Sequence, residues 1–273
     1  MKYLLILILI FTIFSTVDSA YIVKEFYAPP TCLYPLGITI DDTGDYMWIS
    51  DIHGTIYKVS LDDENLGEEI EQFVPDPPVT SIGGMVYDSE NNDLIVVKAR
   101  EPASSAMYTI ELDEGPNQYD STLRFDITFG WPNGSAWDDI EPGIWIVRAD
   151  YVYRELYLVH KDTGEVLEGP ISVDTKYPNG LAYDGTYLYN LGNYDGYILR
   201  YDRMTGERAD GDGFPLPPLF ELNEGELYSG NLVMNDVGEF WQSCEANRKI
   251  YLINFISNNI ETVSIGMIKC LVR

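Results

Sequence analysis

Short apolar or alternating runs recur along the chain between clusters of Asp, Asn and Gly. Leu36-Gly37-Ile38-Thr39-Ile40-Asp41 leads into Met47-Trp48-Ile49-Ser50 and then Ile56-Tyr57-Lys58-Val59. The same order returns four more times, opening at Gly84, Gly134, Gly180 and Gly230. The leading glycines are spaced by 47, 50, 46 and 50 residues. Runs of this length bounded by turn residues predict strands. A fourth strand fits between units, as at Leu123 to Phe129 and Glu261 to Ile265. Four strands in roughly 40 to 50 residues is the period of a propeller blade. A two-sheet sandwich also uses many short strands, but it gives no reason for Gly, Asp and an aromatic to recur in phase. The expected fold is therefore all-β, a β-propeller of five four-stranded blades, with six blades as the alternative. Tyr21 to Tyr27 reads as an extra strand before the first unit, placed to close the ring by joining the last blade.

The first nineteen residues have a different pattern. Lys2 precedes an unbroken apolar run from Leu4 to Phe14, and Val17 and Ser19 are small enough to flank a cleavage site before Ala20. This is the layout of a secretory signal peptide, and the run is shorter than the roughly 18 apolar residues a membrane span needs. The expected organisation is a signal peptide over 1–19 and one propeller over 20–273. The protein is then secreted or otherwise extracytoplasmic, with no transmembrane segment after the signal peptide. An exported chain can keep disulfides. Of Cys32, Cys244 and Cys270, the first and last lie near the two ends of the ring, so a Cys32–Cys270 bridge is expected to staple its closure.

Charge removes one class of function. The 44 acidic residues against 17 Lys and Arg give a formal charge of −27. Such a surface repels a phosphate backbone, so nucleic acid is excluded as a partner. Hydrophobic residues make up 45 % of the chain, enough for a real core. The charge leaves a structural or surface role open, in which acidity is itself the adaptation.

The string Tyr177-Pro178-Asn179-Gly180-Leu181-Ala182-Tyr183-Asp184 resembles the inner strand of NHL-type and gluconolactonase/strictosidine-synthase-like β-propellers. Asn133-Gly134 is the next best match. The resemblance implies an axial divalent metal such as Ca2+, held by a Glu before the first glycine, an Asn of the N-G-L string and a later Asp. Asn179 matches the Asn, while the Glu position falls on Leu36 and the Asp position on Ser229. Calcium wants six to eight oxygens, several of them charged. The expectation is calcium binding no tighter than millimolar and no metal-dependent lactone hydrolysis.

Candidate contacts gather at one mouth of the expected channel. An aromatic stands two or three residues before the leading glycine in four units: Tyr34, Trp131, Tyr177 and Tyr228. Flat rings of this kind suit stacking on a sugar or a peptide side chain. The loops that leave the second strands carry Arg148 and Asp150, Asn193, and Glu245, and Asn133 opens an inner strand beside Asn179. Those loops also carry Asp51, His53, Lys98, Arg100, Asp195 and Asn247. The two histidines, His53 and His160, lie in no catalytic pattern, and no Gly-x-Ser-x-Gly string occurs. The acidic stretches Asp41–Asp45 and Asp210–Gly213 read as hairpin turns, since neither completes a calcium loop. The leading expectation is a module that binds a small molecule, a glycan or a protein at the channel mouth. A metal-dependent hydrolase is the alternative.

Overall fold

A computed structural model describes residues 19–99, 104–138, 140–150, 152–193, 197–209, 214–215 and 230–256. The regular elements of the described residues are all strands, and no helix among them is long and apolar enough to cross a membrane. Strand β1 (Ser19–Tyr27) is followed by the first blade: β2 (Pro35–Ile40), β3 (Tyr46–Asp51), β4 (Ile56–Ser60) and β5 (Glu69–Phe73). The second is β6 (Ile82–Asp88), β7 (Asp93–Lys98), β8 (Ala106–Glu111) and β9 (Ser121–Asp126). The third is β10 (Pro132–Asp138), β11 (Gly143–Ala149), β12 (Arg154–His160) and β13 (Val166–Ser172). The fourth is β14 (Pro178–Tyr183), β15 (Tyr187–Gly192), β16 (Tyr197–Asp202) and the short β17 (Phe214–Pro215). The last is β18 (Leu232–Met234), β19 (Phe240–Cys244), β20 (Lys249–Ile256) and, from the other end of the chain, β1. All five sheets are four-stranded and antiparallel, which makes a five-bladed propeller.

The ring closes as the extra N-terminal strand predicts. β1 pairs with β20 from Ser19 opposite Ile256 to Tyr27 opposite Lys249. The strand expected at Glu261 to Ile265 lies outside the described residues, as does the N-terminal segment 1–18. Ring closure is reinforced near the axis. Asn231 N–H and the Ser243 hydroxyl both donate to the Leu36 carbonyl, at 3.1 and 2.6 Å. Farther out, Arg248 Nε donates to Cys32 O at 3.1 Å and ties the linker before β2 to the last blade.

Five apolar clusters hold the blades together, one at each interface. Ile38, Met47 and Ile49 of the first blade pack on Trp241, Ile250 and Leu252 of the last. The remaining four interfaces repeat the arrangement around the ring. Both faces of each sheet are thereby buried. That is why Leu94-Ile95-Val96-Val97 and Ile144-Trp145-Ile146-Val147 are continuously apolar instead of alternating. Outer strands such as β13 are mostly exposed and lose the pattern.

The Gly and Asp of the repeat have separate causes. A Cβ on Gly134 would sit 2.0 Å from Asn179 O, and one on Gly180 would sit 2.8 Å from Leu232 N. Neighbouring inner strands therefore approach too closely for any side chain at these positions. Four residues later, an Asx side chain accepts from backbone N–H groups of the first hairpin turn: Asp41, Asp88, Asp138, Asp184 and Asn235. This phase corrects one expectation. The fifth equivalent of the leading glycine is Asn231, not Gly230. Leu232 lies opposite Gln242 as Leu181 lies opposite Asn190. Asn231 N–H also donates to Ser243 Oγ at 2.8 Å, as Gly37 N–H donates to Ser50 Oγ at 2.9 Å. Gly230 sits one residue higher, level with Leu36, Gly83, Asn133 and Asn179.

Cys32 and Cys244 are both buried, and burial pushes the Cys32 thiol up to about 12 with the Asp51 charge adding. Cys270, and with it the expected Cys32–Cys270 bridge, lies outside the described residues.

Candidate functional site: the upper face of the channel

The upper face of the ring is the end where the inner strands begin and the second strands finish. One turn recurs there. The backbone carbonyl three residues before the shared glycine accepts an N–H from the end of the second strand or the residue after it. Tyr34 O takes Ile52 N–H, Ser81 O takes Ala99 N–H, Trp131 O takes Ala149 N–H and Tyr177 O takes Asn193 N–H, at 2.8 to 3.2 Å. In three of the four the residue is left-handed: φ is 56° at Ser81, 21° at Trp131 and 51° at Tyr177. Glycine adopts this region freely, whereas a bulky side chain there is strained by about 1–3 kcal/mol. Two of these positions nevertheless hold large aromatics.

Tyr34 is 44 % exposed and Tyr177 is 37 % exposed. Trp131 is half-buried. Leu33, Val152 and Tyr153 add exposed apolar surface on the same side of the ring. Tyr34 packs edge-on to His53, with ring centroids 6.2 Å apart. The buried Asp51 fixes this corner, accepting from Tyr34 N–H at 2.9 Å and His53 N–H at 2.8 Å. Tyr228, expected to complete the set, lies outside the described residues, as do Arg100, Asp195 and Ser229.

The polar candidates are drawn into local pairs. Arg148 donates to Asp150 Oδ2 through Nε at 3.1 Å and Nη2 at 2.8 Å, and to Glu155 Oε2 through Nη1 at 3.1 Å. Its guanidinium also lies over the Tyr153 ring, 4.1 Å from the centroid. Burial works to lower the Arg148 pKa, yet its hydrogen bonds and the charges of Asp150 and Glu155 hold it above the ordinary arginine value. Asp150 is held below the ordinary carboxylate value, against burial, by N–H bonds from Tyr153 and Val152 and by Arg148. Arg148 is thus a clamp on the Asp150 loop, with its charge matched inside its own blade. Sequence reading singled it out because its strand is apolar. Glu155 is across the sheet from it in β12, a pairing set by register.

Asn179 is buried beside the axis and donates from Nδ2 to Asn193 Oδ1 at 3.0 Å. Asn133 occupies the equivalent place in the next blade, its Oδ1 3.5 Å from where a Gly83 Cβ would be. Glu245 is half-buried at the end of β19. These residues do not fit calcium. Asn179 offers one neutral oxygen, and Leu36 is a buried hydrocarbon whose carbonyl already accepts two hydrogen bonds. Among the described residues no three His, Cys, Asp or Glu side chains form a metal-holding group.

Arg248 is the upper-face residue that sequence reasoning missed. Besides Cys32 O, its guanidinium reaches Pro29 O and Pro30 O at 3.3 and 3.0 Å. It has a left-handed φ of 62°. The signal was faint: a lone Arg in a turn, next to no motif.

No family profile matches this sequence, and no characterised protein matches it by sequence. Solved structures share its fold. A glutaminyl cyclase from Myxococcus xanthus matches with a TM-score of 0.64 and 14 % identity, over 87 % of this chain and 97 % of that one. The PQQ-bound aldose sugar dehydrogenase of Streptomyces coelicolor matches with a TM-score of 0.53 and 12 % identity, over 88 % and 99 %. A chain of a nidogen/laminin complex matches with a TM-score of 0.51 and 19 % identity, over 73 % and 67 %. At these identities the likeness establishes the β-propeller fold alone, a fold that serves binders and enzymes alike.

Proposed function

We propose that the chain is an exported binding module that takes a glycan or a protein side chain on the aromatic rim of its upper face. The observation that carries this reading is the placement of Trp131 and Tyr177. Both occupy a left-handed position where glycine would be unstrained, and Tyr177 still presents a third of its surface to solvent. Strain held in place by its surroundings clusters at ligand clamps. Aromatic rings with a polar edge suit contacts that are apolar on one side and wet on the other. Arg148, Asp150, Asn179 and Asn193 act as the frame that fixes the loops between the rings. Export is part of the proposal and rests on the layout of residues 1–19.

The test is a screen of the mature protein against immobilised glycans and peptides, run beside Tyr34→Ala/Tyr177→Ala. The reading expects partners captured by the parent protein and lost by at least tenfold in the double variant. Partners captured equally by both proteins would place the contact elsewhere.

A further inference from the structure

The opposite end of the channel holds a cavity of about 240 Å3, walled by the inner strands of all five blades and open among their first hairpin turns. That volume equals about eight waters at the liquid value of roughly 30 Å3 each, the scale of a small ligand of about seven to ten heavy atoms. Three carboxylates line it, Asp41, Asp42 and Asp236, and none of its lining residues is Lys, Arg or His. A second hollow of about 200 Å3 between the hairpins of the first and last blades shares Asp41 and Asp236 and widens the mouth. Asp41 is engaged in its own turn through Thr43 and Tyr46 N–H. Asp42 and Asp236 are exposed and accept no hydrogen bond among the described residues. Tyr87 and Trp137 supply ring surface to the wall. The field there is negative: burial, then the charges of Asp42 and Asp41, push the Tyr87 hydroxyl above the ordinary tyrosine value.

One residue in the wall breaks the repeat. Immediately after the shared glycine position the blades carry Ile38, Met85, Leu181 and Leu232, whereas the third carries Ser135. Ser135 lines the cavity, is 3 % exposed, and its hydroxyl has no hydrogen-bond partner. A buried hydroxyl left unpaired is destabilising unless something bonds it.

From these features we infer that the lower mouth of the channel is a binding site for a small organic cation, an alkylammonium of choline size. Ring faces attract an alkylammonium through their quadrupole, and the free carboxylates of Asp42 and Asp236 draw it in from a protein whose formal charge is −27. Ser135 accepts a polar group of the ligand at the cavity floor. The carboxylates are spread around the rim and do not converge on a point, which suits a diffuse organic charge better than a divalent ion. The site is separate from the aromatic rim of the upper face and does not depend on it.

The experiment is isothermal titration of the mature protein at low ionic strength with choline and with its uncharged isostere 3,3-dimethylbutan-1-ol. Choline is expected to bind, and the alcohol to bind at least tenfold more weakly. Asp42→Asn/Asp236→Asn, a change confined to exposed turns, is expected to weaken choline at least tenfold while leaving thermal stability unchanged. Ser135→Leu is expected to abolish choline binding. Equal affinity for choline and the alcohol overturns the cation assignment. Unchanged choline affinity in the Asp double variant, or no choline binding up to about 50 mM, overturns the site.

Discussion

Substituting alanine for the shared glycines tests the geometry of the ring. At Gly134 the added methyl would lie 2.0 Å from Asn179 O and 2.9 Å from Leu181 N, both backbone atoms of the next blade. Ordinary contact begins near 3.4 Å, so two inner strands must separate by about 1.4 Å. A closed ring resists that movement, because displacing one blade compresses the next interface. Overpacking costs about 1–3 kcal/mol and occasionally more; a backbone-on-backbone clash belongs at the upper end. The smaller conformational freedom of alanine in the unfolded chain returns about 0.5 kcal/mol. Gly134→Ala is therefore expected to lose about 3 kcal/mol. That corresponds to roughly 6–12 °C in Tm for a domain of this size. Gly37→Ala meets the Ser50 hydroxyl at 3.0 Å and the Ile82 carbonyl at 3.3 Å, with the Gly83 carbonyl at an ordinary 3.5 Å, and is expected to lose about 1 kcal/mol. Gly115→Ala meets nothing within 4 Å and is expected to be neutral or slightly stabilising. Urea unfolding of the three variants gives the order directly. Equal losses at Gly134 and Gly37, or a loss below about 1 kcal/mol at Gly134, would refute close inner-strand approach as the reason for the repeated glycine.

Two further outcomes follow from buried or crowded charge. Asp93 faces Asp88 across one strand pair and Glu111 across the next, and burial followed by these charges pushes its carboxyl up to about 6. Its folded value lies above the unfolded 3.8, so the stability linked to its protonation is complete below about pH 4 and is lost as pH rises through 6. Asp93→Asn should match the parent in urea at pH 4 and exceed it at pH 7, by at most about 1 kcal/mol since the group is partly solvated. Arg203 Nε donates to the fully buried Asp138 at 3.1 Å, linking the third and fourth blades, and Asp138 also accepts from Trp145 Nε1 at 2.8 Å. Arg203→Met strands that carboxylate and should lose about 3 kcal/mol in urea unfolding at pH 7. A loss below about 1 kcal/mol would show that the N–H donors of Trp145, Ile140 and Glu141 suffice for Asp138.

What was legible in the sequence was whatever a single residue type enforces locally. The turn-capping Asp of Asp41, Asp88, Asp138 and Asp184 and the close-approach Gly recur in phase in four of the five units, so the blade period could be counted. The fifth unit was misphased by one residue because Asn231 replaced the expected glycine while Gly230 stood beside it. The true phase lay in Asn235, whose capping role an Asn performs as well as an Asp. Features that depend on cross-strand register were hidden. Nothing near Arg148 in sequence announces that Glu155 lies opposite it. The lower mouth was masked by its own chemistry, since Asp41-Asp42 and Asn235-Asp236 have the composition any hairpin turn demands. Ser135 was the visible signal there, a small polar residue in a layer of Ile, Met and Leu.

Whether Trp131 and Tyr177 hold their left-handed positions for contact or for folding is decided by one variant measured twice. Tyr177→Gly relieves the left-handed backbone at φ 51°. The gain of about 1–2 kcal/mol from relieved strain offsets the added freedom of glycine in the unfolded chain. Unfolding stability is expected within about 1 kcal/mol of the parent, together with at least a tenfold loss of affinity for the partners captured in the glycan and peptide screen. A variant that loses several kcal/mol of stability yet keeps its partners would contradict this expectation, and would make Tyr177 a wedge between blades.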